Sequence, residues 1–172
     1  MENLIADSGQ EKRRAYLRTV LIIAAILLAA AILLLNVFTY LLSVVRYHGD
    51  GMEPALSSGQ LLLVAKTSRV SEGDVIAFYY NNKVLVRRVV CTGGKQISIE
   101  KDGTVFVNGS ELKESYVTEK SFGLCNLEFP YYVPPNNVFV MGDNRSIAMD
   151  SRLEEIGTIS VDRIIGKVLF VH

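Results

Sequence analysis

The sequence predicts a mainly β domain behind a single membrane-spanning helix, and two patterns carry that prediction. Thr19 to Val45 holds no formal charge, whereas residues 46–172 break into short apolar runs separated by turn residues. A helix over the first stretch rises about 1.5 Å per residue and reaches roughly 40 Å, beyond the ~30 Å hydrocarbon core of a bilayer. It can therefore cross a membrane with some tilt. Many short strands with closely spaced turns and little helical periodicity mark the remainder as β.

Residues 1–18 contain Lys12, Arg13, Arg14 and Arg18, while only Arg46 stands close on the far side of the apolar run. Such an excess predicts a cytoplasmic N-terminal segment, a single-pass helix over 19–45 in the cell membrane and an extracellular domain over 46–172. A cleaved secretory signal competes, with Ala29, Ala30 and Ala31 as small residues for cleavage. Against it, Val20 to Leu35 is unbroken and the run resumes through Phe38, Leu41, Leu42 and Val45, exceeding the ~7–15 residues of a signal's apolar core. An uncleaved anchor is expected.

Strands are expected at Gln60–Ala65, Val75–Tyr80 and Val84–Val90, divided by Ser-Glu-Gly-Asp and Asn81-Asn82. Ile97–Glu100 and Thr104–Val107 alternate about Asp102-Gly103 and read as a hairpin that Asn108-Gly109 ends. Asn108-Gly109-Ser110 also fits a glycosylation acceptor, but Asn-Gly is itself a turn signal. Later strands fall at Val138–Met141, after Pro134-Pro135, and at Ile164–Val171. Only Leu112–Lys120 and Met149–Ile156 invite short helices.

The 172 residues carry 18 basic and 18 acidic side chains, so no charge excess points to a nucleic-acid partner. Cys91 and Cys125 fall in the outward domain, where either a disulfide or two buried thiols is compatible with their spacing. Two histidines, His48 and His172, and two separated cysteines make a poor zinc set, and neither a metal nor a cofactor is expected.

Five separated motifs then occur in order. Gly49-Asp50-Gly51-Met52-Glu53-Pro54-Ala55-Leu56 follows the apolar run; next come Gly73-Asp74-Val75-Ile76-Ala77-Phe78 and Val86-Arg87-Arg88-Val89-Val90. Met141-Gly142-Asp143-Asn144-Arg145 with Asp150-Ser151-Arg152, and Ile165-Gly166-Lys167, complete the series. With these motifs the chain resembles a type I signal peptidase of the small Gram-positive kind over nearly its whole length. The resemblance implies the β fold shared by LexA and the signal peptidases, with a cleft for an extended signal peptide formed by Asp50, Gly51, Met52, Pro54, Leu56, Ile76, Phe78 and Arg87. It also implies a structural box in which Arg88, Asp143, Arg145, Asp150 and Arg152 tie strands together through carboxylate–guanidinium pairs.

The chain departs from that family where the chemistry is done. The family cuts with a serine nucleophile and a lysine base, and the lysine must be neutral to take the serine's proton, as burial permits. The serine position here is Gly51 and the lysine position is Arg87, always protonated in proteins. Ala148 stands where the family usually has a serine that orients the lysine. Asp50 lacks a base, and Ser57, Ser58 and Ser146 lie in polar loop settings that suit turn capping. His48 has no hydroxyl partner in recognisable triad geometry.

Catalytic residues are thus expected to be absent, and the cleft to bind without cutting. The resemblance extends to signal-peptidase-like accessory proteins encoded with Gram-positive pili, which also lack the dyad. It implies a membrane-anchored chaperone or assembly factor whose partners are a pilin or other exported subunit, and a sortase. An active signal peptidase with a relocated nucleophile, or an engineered inactive peptidase, are the competing readings. Replacing the serine alone would suffice for the latter, so Arg87 and Ala148 argue for natural divergence.

Overall fold

A computed structural model describes residues 2–171, which divide into two units between Leu41 and Leu42. The first is one helix, α1 (Glu2–Leu41), within which Tyr16–Leu41 is long and apolar enough to cross a membrane. This is compatible with a single-pass anchor.

The helix is shorter than the apolar run. Leu42–Arg46 is a strand, β1, paired antiparallel with β2 (Leu61–Ala65) in the register Leu42↔Ala65 to Arg46↔Leu61. The expected boundary at 45/46 is therefore corrected to 41/42. An unbroken apolar run cannot by itself tell helix from strand; β-branched Val44 and Val45 favour the strand once β2 supplies a partner.

Unit two is mainly β, as its patterning predicts. β3 (Val75–Tyr80) and β4 (Lys83–Thr92) form a hairpin whose Asn81 and Asn82 have φ of 43° and 59°, the left-handed pair demanded by a tight β-turn. β5 (Gln96–Ile99) and β6 (Val105–Val107) form the predicted second hairpin, extended by β7 (Ser110–Glu111) and β8 (Tyr131–Tyr132). The Asn108 side chain accepts from the Gln96 amide at 2.9 Å, so turn-making accounts for this residue. β9 (Asn137–Met141), β10 (Ile159–Ser160) and β11 (Ile164–Val171) complete a seven-stranded sheet of order β1-β2-β11-β3-β4-β9-β10, beside a four-stranded sheet β7-β6-β5-β8.

Neither expected short helix forms. In Leu112–Lys120, distant partners take the polar groups: Glu114 pairs with Arg145 and Lys120 donates to Thr104, while Tyr116 donates to Glu114 within the segment. In Met149–Ile156, Asp150 accepts from the Gly142 and Arg152 amides, and separate turns follow at Leu153, Ile156 and Gly157. Tertiary hydrogen bonds override local preference in both.

Three apolar clusters fill the domain. Ile76, Phe78, Val89, Val140 and Ile159 form one; Val90, Ile97, Phe139 and Met141 another; Tyr47, Met52, Leu56, Leu62, Ala77 and Val86 a third. The last underlies the turn after β1 and sets the height at which its backbone runs.

Candidate functional site

Three segments far apart in sequence converge on one point: the turn after β1, the middle of β4 and the loop after β9. Gly51 is buried in the turn, and a Cβ built on it would lie 3.1 Å from Arg87 Nη2, 3.3 Å from Arg87 Cζ and 3.4 Å from Ala148 Cβ. The three predicted positions are therefore neighbours, and the guanidinium lies over the glycine. Asn144 clamps the turn, donating from its amide to the Gly51 carbonyl at 3.1 Å and from its side chain to the Asp50 carbonyl at 3.3 Å. Gly142 lets the loop approach this closely, because a Cβ there would meet the Gly51 oxygen and Ala148 Cβ at 2.3 Å each.

Arg87 is only 7% exposed. Its Nε donates to the Met149 carbonyl at 2.9 Å and its Nη1 to the Val86 carbonyl at 2.6 Å, and the Tyr47 hydroxyl is a third partner. No ion pair among the described residues includes it. Burial pulls its pKa below the usual arginine value, with Asp150 and Tyr47 opposing the shift; a guanidinium still does not give up its proton at neutral pH. Tyr47, 3% exposed, also accepts the Met52 amide at 3.0 Å, and burial raises its own pKa. Its phenol is neutral and turned to structural use. Sequence reasoning missed Tyr47; its signal is a lone aromatic placed where the apolar run gives way to polar turn residues.

Other hydroxyls near the turn serve locally. Ser58 Oγ accepts from the Gly49 amide at 3.2 Å, and exposed Ser146 donates to the Asn144 side chain at 3.0 Å; Ser57 is exposed, and its backbone amide donates to the Gln60 side chain at 2.7 Å. His48 is exposed, and His172 lies outside the described residues. The free thiols of Cys91 and Cys125 are, respectively, buried and half-buried.

The predicted cleft residues divide. Asp50 and Pro54 are exposed, and Pro54 faces a cavity of about 430 Å³ shared with Glu53, Asn144 and Ser146. Leu56 faces a second cavity of about 430 Å³ with Asp74, Arg88 and Lys167. Met52, Ile76 and Phe78 have no exposed surface. They support the site from the core and do not line it, a correction that follows from their complete burial.

The charged box is present and nearly dry. Arg88 grips Asp143 through two bonds of 2.8 and 2.5 Å and lies 4.1 Å from the Tyr116 ring centroid. Arg152 grips Asp150 through two bonds of 2.8 Å. Arg145 takes its carboxylate from Glu114, outside the predicted set. Each pair is a bidentate fork of the kind that fixes geometry as well as charge.

One strand edge is open beside the convergence. β4 pairs with β3 from Lys83 to Arg88 but with β9 only from Arg88 to Thr92, so Lys83–Arg87 has a strand on one side alone.

The family model described as signal peptidase, peptidase S26, matches residues 17–172. The chain belongs to this family. The signal peptidase I of Bacillus caldolyticus is 34% identical over 138 residues, spanning 71% of this chain and 74% of that protein. The signal peptidase I of Bacillus licheniformis is 32% identical over 153 residues, 81% of either chain. A crystal structure of a signal peptidase I from Enterococcus faecalis V583 is similar at 24% identity with a TM-score of 0.49, covering 59% of this chain and 97% of that one. This signal peptidase family member carries Arg87 facing Gly51 at the convergence, where a Cβ on the glycine would come within 3.1 Å of the guanidinium.

Proposed function

We propose that this signal peptidase family member is non-hydrolytic, holds exported peptides at the outer face of the membrane, and serves there as a chaperone or assembly factor for a surface pilus. The observation that carries the first part is the guanidinium of Arg87 lying over Gly51. Serine–lysine hydrolysis needs a hydroxyl beside a base able to take its proton, and this pair supplies neither. The open edge of β4 supports binding, since an extended peptide can add to a free strand edge through main-chain hydrogen bonds. The charge excess at Lys12–Arg18 supports a cytoplasmic N-terminus with the β domain outside. A pilin or other exported subunit, handed on to a sortase, is the partner we propose.

An active signal peptidase is the second reading, favoured by the names of the relatives. Purified full-length chain in detergent, incubated with a preprotein, separates the two: no cleavage is expected, and turnover would overturn our reading. In cells, deleting the gene is expected to reduce a surface polymer without accumulating uncleaved preproteins. Preprotein accumulation would favour the peptidase.

A further inference from the structure

One ion pair forms the wall between two cavities. Arg88 and Asp143 grip each other in a bidentate fork, and Arg88 lines a cavity of about 430 Å³ while Asp143 lines another of the same volume. The two differ in charge. In the first, Lys167 pairs with Asp74 at 2.6 Å and Arg88 is held by Asp143, so the walls are balanced. In the second, Asp143 is held by Arg88 and Arg145 by Glu114, which leaves Glu53 and Glu119 over. Both are exposed, and neither belongs to an ion pair among the described residues.

This second cavity adjoins the convergence through Asn144. Glu53 comes from the turn after β1, Glu119 from the segment between β7 and β8, and Asn144 and Ser146 from the loop after β9. The donors on these walls are engaged. Arg145 is forked onto Glu114 and bonds the Gly142 carbonyl at 3.1 Å, while Asn144 donates to the Gly51 and Asp50 carbonyls. The acceptors are open: the carboxylates of Glu53 and Glu119 stand without a counter-charge, and the Ser146 hydroxyl, which donates to Asn144 at 3.0 Å, keeps its own lone pairs.

Such walls fit a ligand that is cationic and rich in donors. A metal ion is the poorer fit, because no three of His, Cys, Asp and Glu among the described residues are grouped to hold one. A guanidinium takes a single carboxylate in a fork, as Arg88, Arg145 and Arg152 each do here. Two carboxylates arriving from separate segments suit instead the three diverging donors of an ammonium.

We infer that this cavity binds a primary ammonium of the exported protein the chain holds, carried by a lysine side chain or a free N-terminus, with Glu53 and Glu119 as its counter-charges and Ser146 as a further acceptor. The source of the ammonium rests on the peptide-holding reading above. The chemistry of the walls does not depend on it.

The test uses full-length chain in an uncharged detergent and fluorescent peptides, blocked at both ends, that differ at one central residue: lysine, Nε-acetyl-lysine or arginine. Fluorescence anisotropy at low salt is expected to show the lysine peptide bound roughly fivefold more tightly than the acetylated one, the scale of two exposed ion pairs. The advantage is expected to shrink at high salt. Glu53→Gln with Glu119→Gln should abolish it, whereas Glu128→Gln, at an exposed carboxylate outside the cavity, should not. Equal affinity for lysine and acetyl-lysine, or a preference that survives the double variant, overturns the inference and leaves peptide holding intact. No binding of any peptide by the native chain overturns both. Arginine bound more tightly than lysine, or calorimetric binding of calcium chloride that the double variant loses, overturns the choice of ammonium. A lysine-free peptide with an open N-terminus, set against its acetylated form, tells the two sources apart.

Discussion

Gly51 and Arg87 fit each other closely enough to predict what single changes do. A serine at 51 would bring its Cβ to 3.1–3.3 Å from the guanidinium, tighter than an ordinary contact, and it would still face a side chain unable to accept its proton. Gly51→Ser alone is expected to show no cleavage of a preprotein. Gly51→Ser with Arg87→Lys and Ala148→Ser is expected to regain slight hydrolysis; activity in the single variant would show that Arg87 is not at the base position. Gly142→Ala should destabilise the domain by roughly 1–3 kcal/mol, the usual cost of overpacking, because its methyl collides with Ala148 Cβ and the Gly51 oxygen; denaturant unfolding measures this. Cys91 is buried and its thiol is pushed up to about 11, chiefly by burial. At neutral pH only Cys125 is therefore expected to react readily with a thiol reagent in the native domain, and both after unfolding. At this scale the sequence was most legible where side-chain chemistry alone decides. Absence of a hydroxyl at Gly51 and of a titratable amine at Arg87 needs no coordinates, whereas the loss of any carboxylate partner for Arg87 is a fact of packing.

Elements were legible where periodicity and turn residues agreed. Val75–Tyr80 with Asn81-Asn82 predicts the β3–β4 hairpin, and Ile97–Val107 predicts β5–β6. They were illegible where a partner decides. Leu42–Arg46 is a strand only because β2 lies beside it, and two apparent helices are unwound by the distant bonds of Glu114 and Asp150. A truncation starting at residue 42 should accordingly be more stable than one starting at 47, which removes β1 and exposes the edge of β2; thermal unfolding of the two compares them. Glu72 pins the loop before β3 to the end of β4, accepting from Thr92 at 3.2 and 3.1 Å and from Lys95 at 2.7 Å. Burial opposes its ionisation, yet these bonds prevail and hold its carboxyl below the ordinary 4.5. A lowered folded value means stabilisation that is present above the unfolded value and lost as pH falls through the folded one. Unfolding measured below pH 4.5 should show an acid-dependent loss that Glu72→Gln reduces.

Across the whole molecule the dry arginine pairs weld the site to the sheet. Asp150 and Arg152 are fully buried, and Asp150 also accepts the Gly142 amide at 3.0 Å. Asp150→Asn, which leaves Arg152 buried without its counter-charge, should cost about 3–5 kcal/mol, seen as a lowered denaturant midpoint with an unchanged slope. Five motifs in order made the family's overall plan readable before any coordinates, because spacing along the chain survives in sequence. Which residues line the cleft was not readable, since Met52, Ile76 and Phe78 differ from true wall residues only in depth. The close contact of turn, strand and loop at Gly51 also has a bearing on descent. Restoring serine first meets a guanidinium in the way, and restoring lysine first provides a base with nothing to activate. Selection for cutting would reward neither step alone, so serine–lysine hydrolysis at this pair requires both changes together.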